Sequence, residues 1–183
     1  GLIGTIQQAA SQVVITALFM SFLPCLGFGT GAQTLVGQAL GRGDHDLARR
    51  AGYEAAKLAT YFTVVLGFFF VFLPAWVIIL ITNDPTVTAA ARPVLQVAGV
   101  AQVIYASGIV LAHALQAAGA TVYVMLIEVL THWVVFLPIS YVLGVRLGGG
   151  LVGAWSALPV YIVSYTIFIL LKYRKGDWHL IQV

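Results

Sequence analysis

A glutamate and a histidine stand four residues apart inside one long apolar segment. The segment reads VYVMLIEVLTHWVVFLP, residues 122–138, and the pair is Glu128 and His132. A carboxylate in hydrocarbon is costly unless something compensates it, so acids inside membrane segments indicate functional sites. Residues i and i+4 share one helix face, so both side chains point the same way. Such a pair suits proton exchange, attraction of a cation, or metal ligation.

Two consecutive apolar segments each carry a stripe of polar side chains at helical spacing. The first stripe consists of Gln102, Tyr105, His113 and Gln116. The second consists of Thr121, Glu128, Thr131 and His132. In a membrane such stripes face protein or water. A short turn at 118–120 makes the two helices antiparallel neighbours, so we expect Tyr105 nearly level with His132, and His113 about one turn nearer the cytoplasm than Glu128.

Three interpretations of these residues are open. Glu128 and His132, with Tyr105, can form an interhelical hydrogen-bond cluster that only supports packing, at about 0.6 kcal/mol per bond. Glu128 can instead line a central cavity and there bind a proton or attract a cation. Finally, Glu128, His132 and His113 can ligate a metal ion, although a fourth ligand is not evident.

The composition predicts that membrane helices carry these residues. Of the 183 residues, 61% are hydrophobic and 8% charged, against about 25% charged residues in soluble domains. Segments such as IVLAHALQAA do not alternate as the strands of a β-barrel would, which favours helices. The basic residues cluster at the ends of apolar runs, so nucleic acid is not expected as a partner. The single cysteine, Cys25, excludes a disulfide framework within the chain.

Glycine, proline and charged residues divide the chain into five apolar spans. Each is long enough to cross the hydrocarbon, which takes about 20 residues. Prolines inside or near the ends of the spans fit kinked helices around a cavity, but are also common in membrane helices generally. We predict an all-α, polytopic integral membrane protein with about five transmembrane helices, at residues 5–39, 47–81, 86–117, 121–145 and 150–171.

The basic residues also predict the orientation. Of the nine Lys and Arg, only Arg92 and Arg146 lie near the second and fourth loops, and the other seven flank the first loop and the tail. Basic loops stay in the cytoplasm, so we expect a plasma-membrane protein with a cytoplasmic C-terminus. We expect further helices upstream, because the predicted N-terminus lies outside the cell, the number of spans is odd and the first residue is Gly1.

The segment LVGQALGRGDHDLARRAG, residues 35–52, is the most distinctive loop. Gly41 ends one helix, Gly43 allows a tight turn, and Asp44 is placed to cap the next helix. Arg49 and Arg50 then anchor that helix at the lipid headgroups. Taken alone, these residues predict a cytoplasmic turn between two helices and no further role.

The same segment resembles the loop after the second helix of each half in the multidrug and toxic compound extrusion (MATE) transporters. Further stretches resemble segments of that family in the same order: HALQAAGATVYVM (113–125), FLPISYVLG (136–144), GLVGAWSAL (150–158) and the basic ending LKYRKGDW (171–178). The resemblance implies that the five spans are helices eight to twelve of a twelve-helix transporter with two lobes. Residues 1–183 would then form a partial C-terminal lobe.

The resemblance implies secondary active export of cationic or amphipathic drugs in exchange for protons or sodium ions, without a cofactor. Some members couple through an acid in the tenth helix, but Tyr105 stands near that position here, which puts sodium coupling through this lobe in doubt. The expected partners are membrane lipid, a drug-like substrate and an N-terminal lobe. We expect the 183 residues alone not to transport, because alternating access needs two halves. The candidate cavity residues are Glu128, His132, Tyr105, His113 and Gln102.

Other classes remain open. A lipid-linked oligosaccharide flippase of a related fold would need Arg or Lys inside the spans for its anionic substrate, and none is clearly there. A membrane-embedded enzyme could use Glu128 and His132 as acid and base, but HExxH, GxSxG and paired carboxylates are missing and the loops are short. A helper subunit without transport activity is the last alternative. We therefore predict a transporter and not an enzyme.

Overall fold

The computed structural model describes residues 4–176, and every regular element in that range is helical. Five helices are long and apolar enough to cross a membrane. This agrees with the predicted all-α polytopic fold. The helices are α1 (Thr5–Gly41), α2 (His45–Phe72), the short α3 (Pro74–Ile79), α4 (Pro85–Ala117), α5 (Thr121–Arg146) and α6 (Gly150–Lys175).

The second predicted span, 47–81, is not one helix. α2 ends at Phe72, and Leu73 adopts φ −126° and ψ 42°, outside the helical region. Pro74 then opens α3 at the first helical position, where its missing N–H costs nothing. Proline cannot continue the hydrogen-bond ladder of α2, so the chain changes direction there. As a result, α3 displays Trp76, which is 73% exposed.

α4 is the central helix and packs against α1, α2 and α6. Half of its buried residues are alanine or glycine, and such small residues let membrane helices approach closely. Gly108 shows how close: a Cβ atom there would stand 2.6 Å from the hydroxyl oxygen of Thr166 on α6. The absence of a side chain at Gly108 therefore sets the distance between α4 and α6.

The start of α4 is capped by Asp84, whose carboxylate accepts hydrogen bonds from the Thr86 hydroxyl and from the amides of Thr86 and Val87. These bonds hold the pKa of the Asp84 carboxyl below its usual value, with the Thr86 hydroxyl as the largest cause. Because this pKa is lower in the folded state, the ionised cap stabilises the fold fully when the pH is above the pKa that the carboxyl has in the unfolded chain. The contribution is lost as the pH falls through the folded value.

The distinctive first loop joins α1 to α2. Gly41 is the last residue of α1, and Gly43 has φ 72°, a conformation that glycine adopts without strain. The Asp44 carboxylate accepts a hydrogen bond from the Leu47 amide at 2.9 Å and so caps α2. Arg49 and Arg50 follow in the exposed first turns.

Replacing Asp44 with alanine is expected to destabilise the start of α2 by about 1 kcal/mol, because the Leu47 amide loses its acceptor. Hydrogen exchange of residues 45–48 should accelerate, while Asp44→Asn should stay near wild type. Asp46→Ala is the matched control, since Asp46 lies in the same turn without making the cap bond. Equal acceleration in Asp44→Ala and Asp46→Ala would show that the cap bond is not the cause.

Tyr173, near the end of α6, packs against the start of α2. Tyr173 is fully buried, and its hydroxyl donates to the carbonyl oxygens of Arg49 at 3.1 Å and Ala48 at 3.3 Å. Its ring packs edge-on against Tyr53, with 5.0 Å between centroids. Any Cβ at Gly52 would overlap the Tyr173 hydroxyl. The basic ending that follows is described only to residue 176, so 177 and 178 lie outside the described residues.

α5 is the least buried and least regular of the long helices. It contains two π-helical stretches, Thr131–Phe136 and Val142–Arg146, on either side of a turn that begins at Leu137. Pro138 in that turn has no N–H to donate, and wider turns accommodate such a missing bond. π-turns inside α-helices occur frequently at functional sites. The first stretch contains His132.

Candidate functional site

A cleft of about 270 Å³ opens between α1, α4 and α6. Each helix contributes residues three or four positions apart, so each presents one face to it. The walls are almost entirely apolar and aromatic. They consist of Ile15, Leu18, Phe19 and Phe22 from α1, Gln102 and Tyr105 from α4, and Leu158, Tyr161 and Ile162 from α6.

A chain of ring contacts continues from this cleft towards α5. Phe22 stacks on Tyr105 at 6.1 Å, and Tyr105 contacts Tyr165 at 5.9 Å. The Tyr165 ring also contacts the Tyr161 ring, with 6.2 Å between centroids. The Tyr161 ring in turn meets the His132 ring edge-on at 5.4 Å. We call these rings, together with Phe19 and Phe136, the aromatic network. It joins four helices through aromatic faces and edges.

Glu128 lies on α5, which contributes no residue to the walls of the cleft. Its carboxylate lies within electrostatic range of the hydroxyl groups of Tyr105, Tyr161 and Tyr165. The side chain is exposed, and within residues 4–176 it has neither a hydrogen bond nor an ion pair. The carboxylate therefore keeps its acceptor capacity for a group that comes from outside these residues.

The predicted hydrogen-bond cluster of Glu128, His132 and Tyr105 does not form among the described residues. His132 is also exposed, and its partners are the rings of Phe136 at 5.1 Å and Tyr161 at 5.4 Å. The ring that His132 meets across the helix interface thus belongs to α6, whereas we expected α4. The packing interpretation is therefore wrong about the hydrogen bonds and about the helix that His132 contacts.

His113 belongs to a different part of the protein from Glu128. Its Nδ1–H donates to the Ile109 carbonyl at 2.9 Å, within α4. The ring packs on α1 at Gly29, where an added Cβ would stand 2.8 Å from Nδ1. Residues 4–176 contain no group of three His, Cys, Asp or Glu side chains that could hold a metal ion. Glu128, His132 and His113 therefore do not come together in the way that the metal interpretation requires.

Gln102 combines a packing bond with a place in the cleft wall. It is 6% exposed, and its Nε2 donates to the Ser21 hydroxyl on α1 at 2.7 Å. This bond ties α1 to α4 just where both line the cleft. A buried amide without such a partner would cost about 1–3 kcal/mol, so the bond satisfies Gln102 while its side chain lines the cleft.

Sequence reasoning missed the aromatic residues of α1 and α6. The i, i+3 and i, i+4 spacing in FMSF (19–22) and YIVSY (161–165) puts each pair on one face. That signal was present, but an aromatic pair on a membrane helix usually faces lipid or a packed neighbour. Only the arrangement of the helices shows that both pairs meet Tyr105.

Known proteins resemble this chain over most of its length. A family model described as MatE matches residues 1–142. Among curated relatives, the "Probable multidrug resistance protein NorM" of Brucella suis biovar 1 is 32% identical over 188 residues, covering 100% of this chain and 40% of that protein. The protein of the same name from Thermotoga maritima is 26% identical over 175 residues, covering 96% of this chain and 38% of that protein.

The chain thus spans about 40% of the length of these curated relatives. That share agrees with the five of twelve helices that the family resemblance assigned to it. The match to the family model covers the first loop and the segment 113–125 entirely, and the segment 136–144 up to residue 142. The chain belongs to the MatE family, and the resemblance to MATE transporters that its sequence motifs indicated is confirmed.

Proposed function

We propose that this chain forms the cation-binding part of a secondary active multidrug exporter. The observation that carries the proposal is the Glu128 carboxylate, which has no hydrogen bond within residues 4–176 and lies within electrostatic range of the tyrosine hydroxyls of the aromatic network. Membership of the MatE family and the names of the relatives, multidrug resistance proteins, support export as the activity. An enzymatic role is not proposed.

The chemistry of the site favours a flat or amphipathic cation as substrate. Aromatic faces attract cations by about 0.5–2 kcal/mol each, depending on desolvation. A carboxylate adds charge attraction, which is stronger in a low-dielectric cleft than in water. A volume of about 270 Å³ is at the small end for a drug site, which usually has roughly 300–1,000 Å³. We propose that helices of a second lobe complete the cavity.

Export would be driven by exchange of the substrate for a proton or a sodium ion. In our proposal Glu128 binds the coupling ion and the cationic drug in turn, so that one excludes the other. One elementary charge moving through 100 mV supplies about 2.3 kcal/mol, enough to bias two conformations. Tyr105 supplies no charge at the position where some family members carry an acid. We therefore assign the coupling within this chain to α5.

We further propose that the C-terminus is cytoplasmic and that the chain alone does not transport. The positive residues around the first loop and the tail support this orientation. Alternating access requires two halves moving around a shared site.

The proposed function is tested with the full-length protein in proteoliposomes loaded with a fluorescent cationic dye. An imposed pH gradient and an imposed sodium gradient are compared, with the 183-residue chain alone as a second sample. We expect one of the gradients to drive efflux from full-length protein and neither to do so from the chain alone. If neither gradient drives efflux of any cationic dye from the full-length protein, the exporter proposal is wrong.

Replacing Tyr105 with leucine is expected to weaken dye binding about fivefold, because the cleft loses one aromatic face. Tyr105→Phe keeps the ring and should bind the dye nearly as well as wild type. Fluorescence titration of purified full-length protein measures both dissociation constants. If Tyr105→Leu and Tyr105→Phe bind equally well, the ring face does not contribute to binding.

A further inference from the structure

Arg92 is an arginine of α4 that no acid neutralises among the described residues. The ion pair found in residues 4–176 joins Lys57 to Glu54, and the Arg92 guanidinium takes part in neither that pair nor a hydrogen bond within this range. Its side chain is exposed. The nearby Asp84 carboxylate is engaged by Thr86 and Val87 as the cap of α4. The Arg92 guanidinium therefore has its donors available for an external anion.

The length of α4 places Arg92 near the boundary between hydrocarbon and headgroups. The helix has 33 residues and begins at Pro85. At about 1.5 Å per residue it is about 50 Å long, roughly 20 Å more than the hydrocarbon core. A centred helix thus projects about 10 Å at each end. Arg92 lies seven residues, also about 10 Å, from the start of the helix, so its backbone stands at the hydrocarbon boundary and its long side chain can reach the lipid phosphates.

Two grooves meet at Arg92 on the outside of the helix bundle. The larger, of about 530 Å³, is lined on its polar side by Thr82, Asn83 and Thr88. The smaller, of about 330 Å³, runs past Trp76 and Gln96. Both grooves are also lined by Ala75 of α3, and Asp84 lines neither. The surface thus offers one positive charge, neutral hydrogen-bonding groups and no lining carboxylate.

The flanks of the grooves are apolar and exposed. Trp76, Ile79 and Leu80 are 73%, 59% and 75% exposed. They belong to α3 and its end, which exist as a separate element because Pro74 interrupts α2. Tryptophan is enriched at membrane interfaces, where its ring lies at headgroup level. Acyl chains can lie along these side chains while a phosphate reaches Arg92.

We propose that Arg92 and the two grooves bind the headgroup of an anionic phospholipid of the phosphatidylglycerol class. The guanidinium pairs with the phosphodiester, since arginine suits planar, two-point recognition of phosphate oxygens. Thr82, Asn83 and Thr88 line the space for the polar glycerol head. The site is independent of the cation cleft, because its residues lie on α3, the loop that follows it and the start of α4, whereas the cleft uses α1, α6 and the middle of α4.

Native mass spectrometry of the full-length protein in neutral detergent tests this site by counting bound lipids during titration. We expect wild type to retain phosphatidylglycerol more tightly than phosphatidylcholine. In Arg92→Gln the affinity for phosphatidylglycerol should fall about fivefold, the effect of one basic residue near a charged lipid surface. Arg92→Lys should lose less. Arg146→Gln removes the other isolated arginine, which is exposed at the end of α5, and should bind like wild type.

Three results would overturn the proposal. The first is an unchanged phosphatidylglycerol affinity in Arg92→Gln, and the second is an equal loss in Arg146→Gln. The third is full displacement of the lipid by soluble glycerophosphate, which would identify a site for free anions. Thermal unfolding of each variant without added lipid checks that the exposed substitutions leave the fold intact, so a lost affinity reports on the site itself.

Discussion

Glu128→Gln is expected to reduce gradient-driven efflux of a cationic dye at least about tenfold, with expression and thermal stability unchanged. The substitution keeps the size of the side chain and removes its charge. A charge interaction at short range with an effective dielectric of about 20 amounts to a few kcal/mol, more than the 1.4 kcal/mol that corresponds to a factor of ten. Because the Glu128 side chain is exposed and its carboxylate makes no hydrogen bond within residues 4–176, its replacement costs no packing. Efflux from proteoliposomes measures the effect.

Glu54→Gln is the matched control for Glu128→Gln. Glu54 is also an exposed helical glutamate, but it pairs with Lys57 at 2.6 Å on α2, and both side chains are more than half exposed. Exposed pairs contribute little to stability, so this variant should transport like wild type. If Glu128→Gln also transported like wild type, Glu128 would be a structural residue and the coupling would have to lie outside this chain.

Tyr173→Ala is expected to cause the largest loss of stability, about 3–5 kcal/mol, as for other large aromatic residues removed from a core. The side chain is fully buried, and its hydroxyl and ring hold the end of α6 to the start of α2. Removing it leaves a cavity against Gly52, which has no side chain to fill the space. Thermal or chemical unfolding in detergent measures the loss.

Tyr173→Phe separates the ring from the hydroxyl. It keeps the edge-on contact with Tyr53 and loses the hydroxyl bonds to the carbonyls of Ala48 and Arg49. We expect a loss of about 1 kcal/mol, the usual net value of one hydrogen bond. If Tyr173→Ala were no less stable than Tyr173→Phe, the ring would not fasten α6 to α2, and the described packing would be contradicted.

Much of the fold could be predicted from local sequence. Hydropathy and length are sufficient to locate five long helices, because a helix that faces lipid must be apolar over most of its length. The first loop could also be predicted, because both of its key residues act locally. Gly43 permits a positive φ, and Asp44 caps α2 through a bond to Leu47, three residues further on. For the span that contains Pro74 the sequence predicted a kinked helix, and the structure shows a complete break, with α2 ending at Phe72 and α3 beginning at Pro74.

The site was harder to predict because it depends on how the helices rotate and pack. Gly29 lets α1 approach His113, and Gly108 lets α6 approach α4, and neither contact can be read from one helix alone. The π-helical stretch beginning at Thr131 also adds residues to the turns of α5, so positions beyond it depart from the regular 100° spacing. His132 lies in that stretch and meets Tyr161 of α6. Glu128 lies before it, within electrostatic range of the tyrosine hydroxyls.

The most direct test of the cation site is the dissociation constant of a planar aromatic cation for the purified full-length protein. Wild type and Glu128→Gln are compared, and a neutral aromatic ligand of the same shape serves as control. We predict that Glu128→Gln weakens binding of the cation about tenfold or more and leaves binding of the neutral ligand unchanged. Equal binding of the cation to both proteins would contradict the assignment of Glu128 to the site.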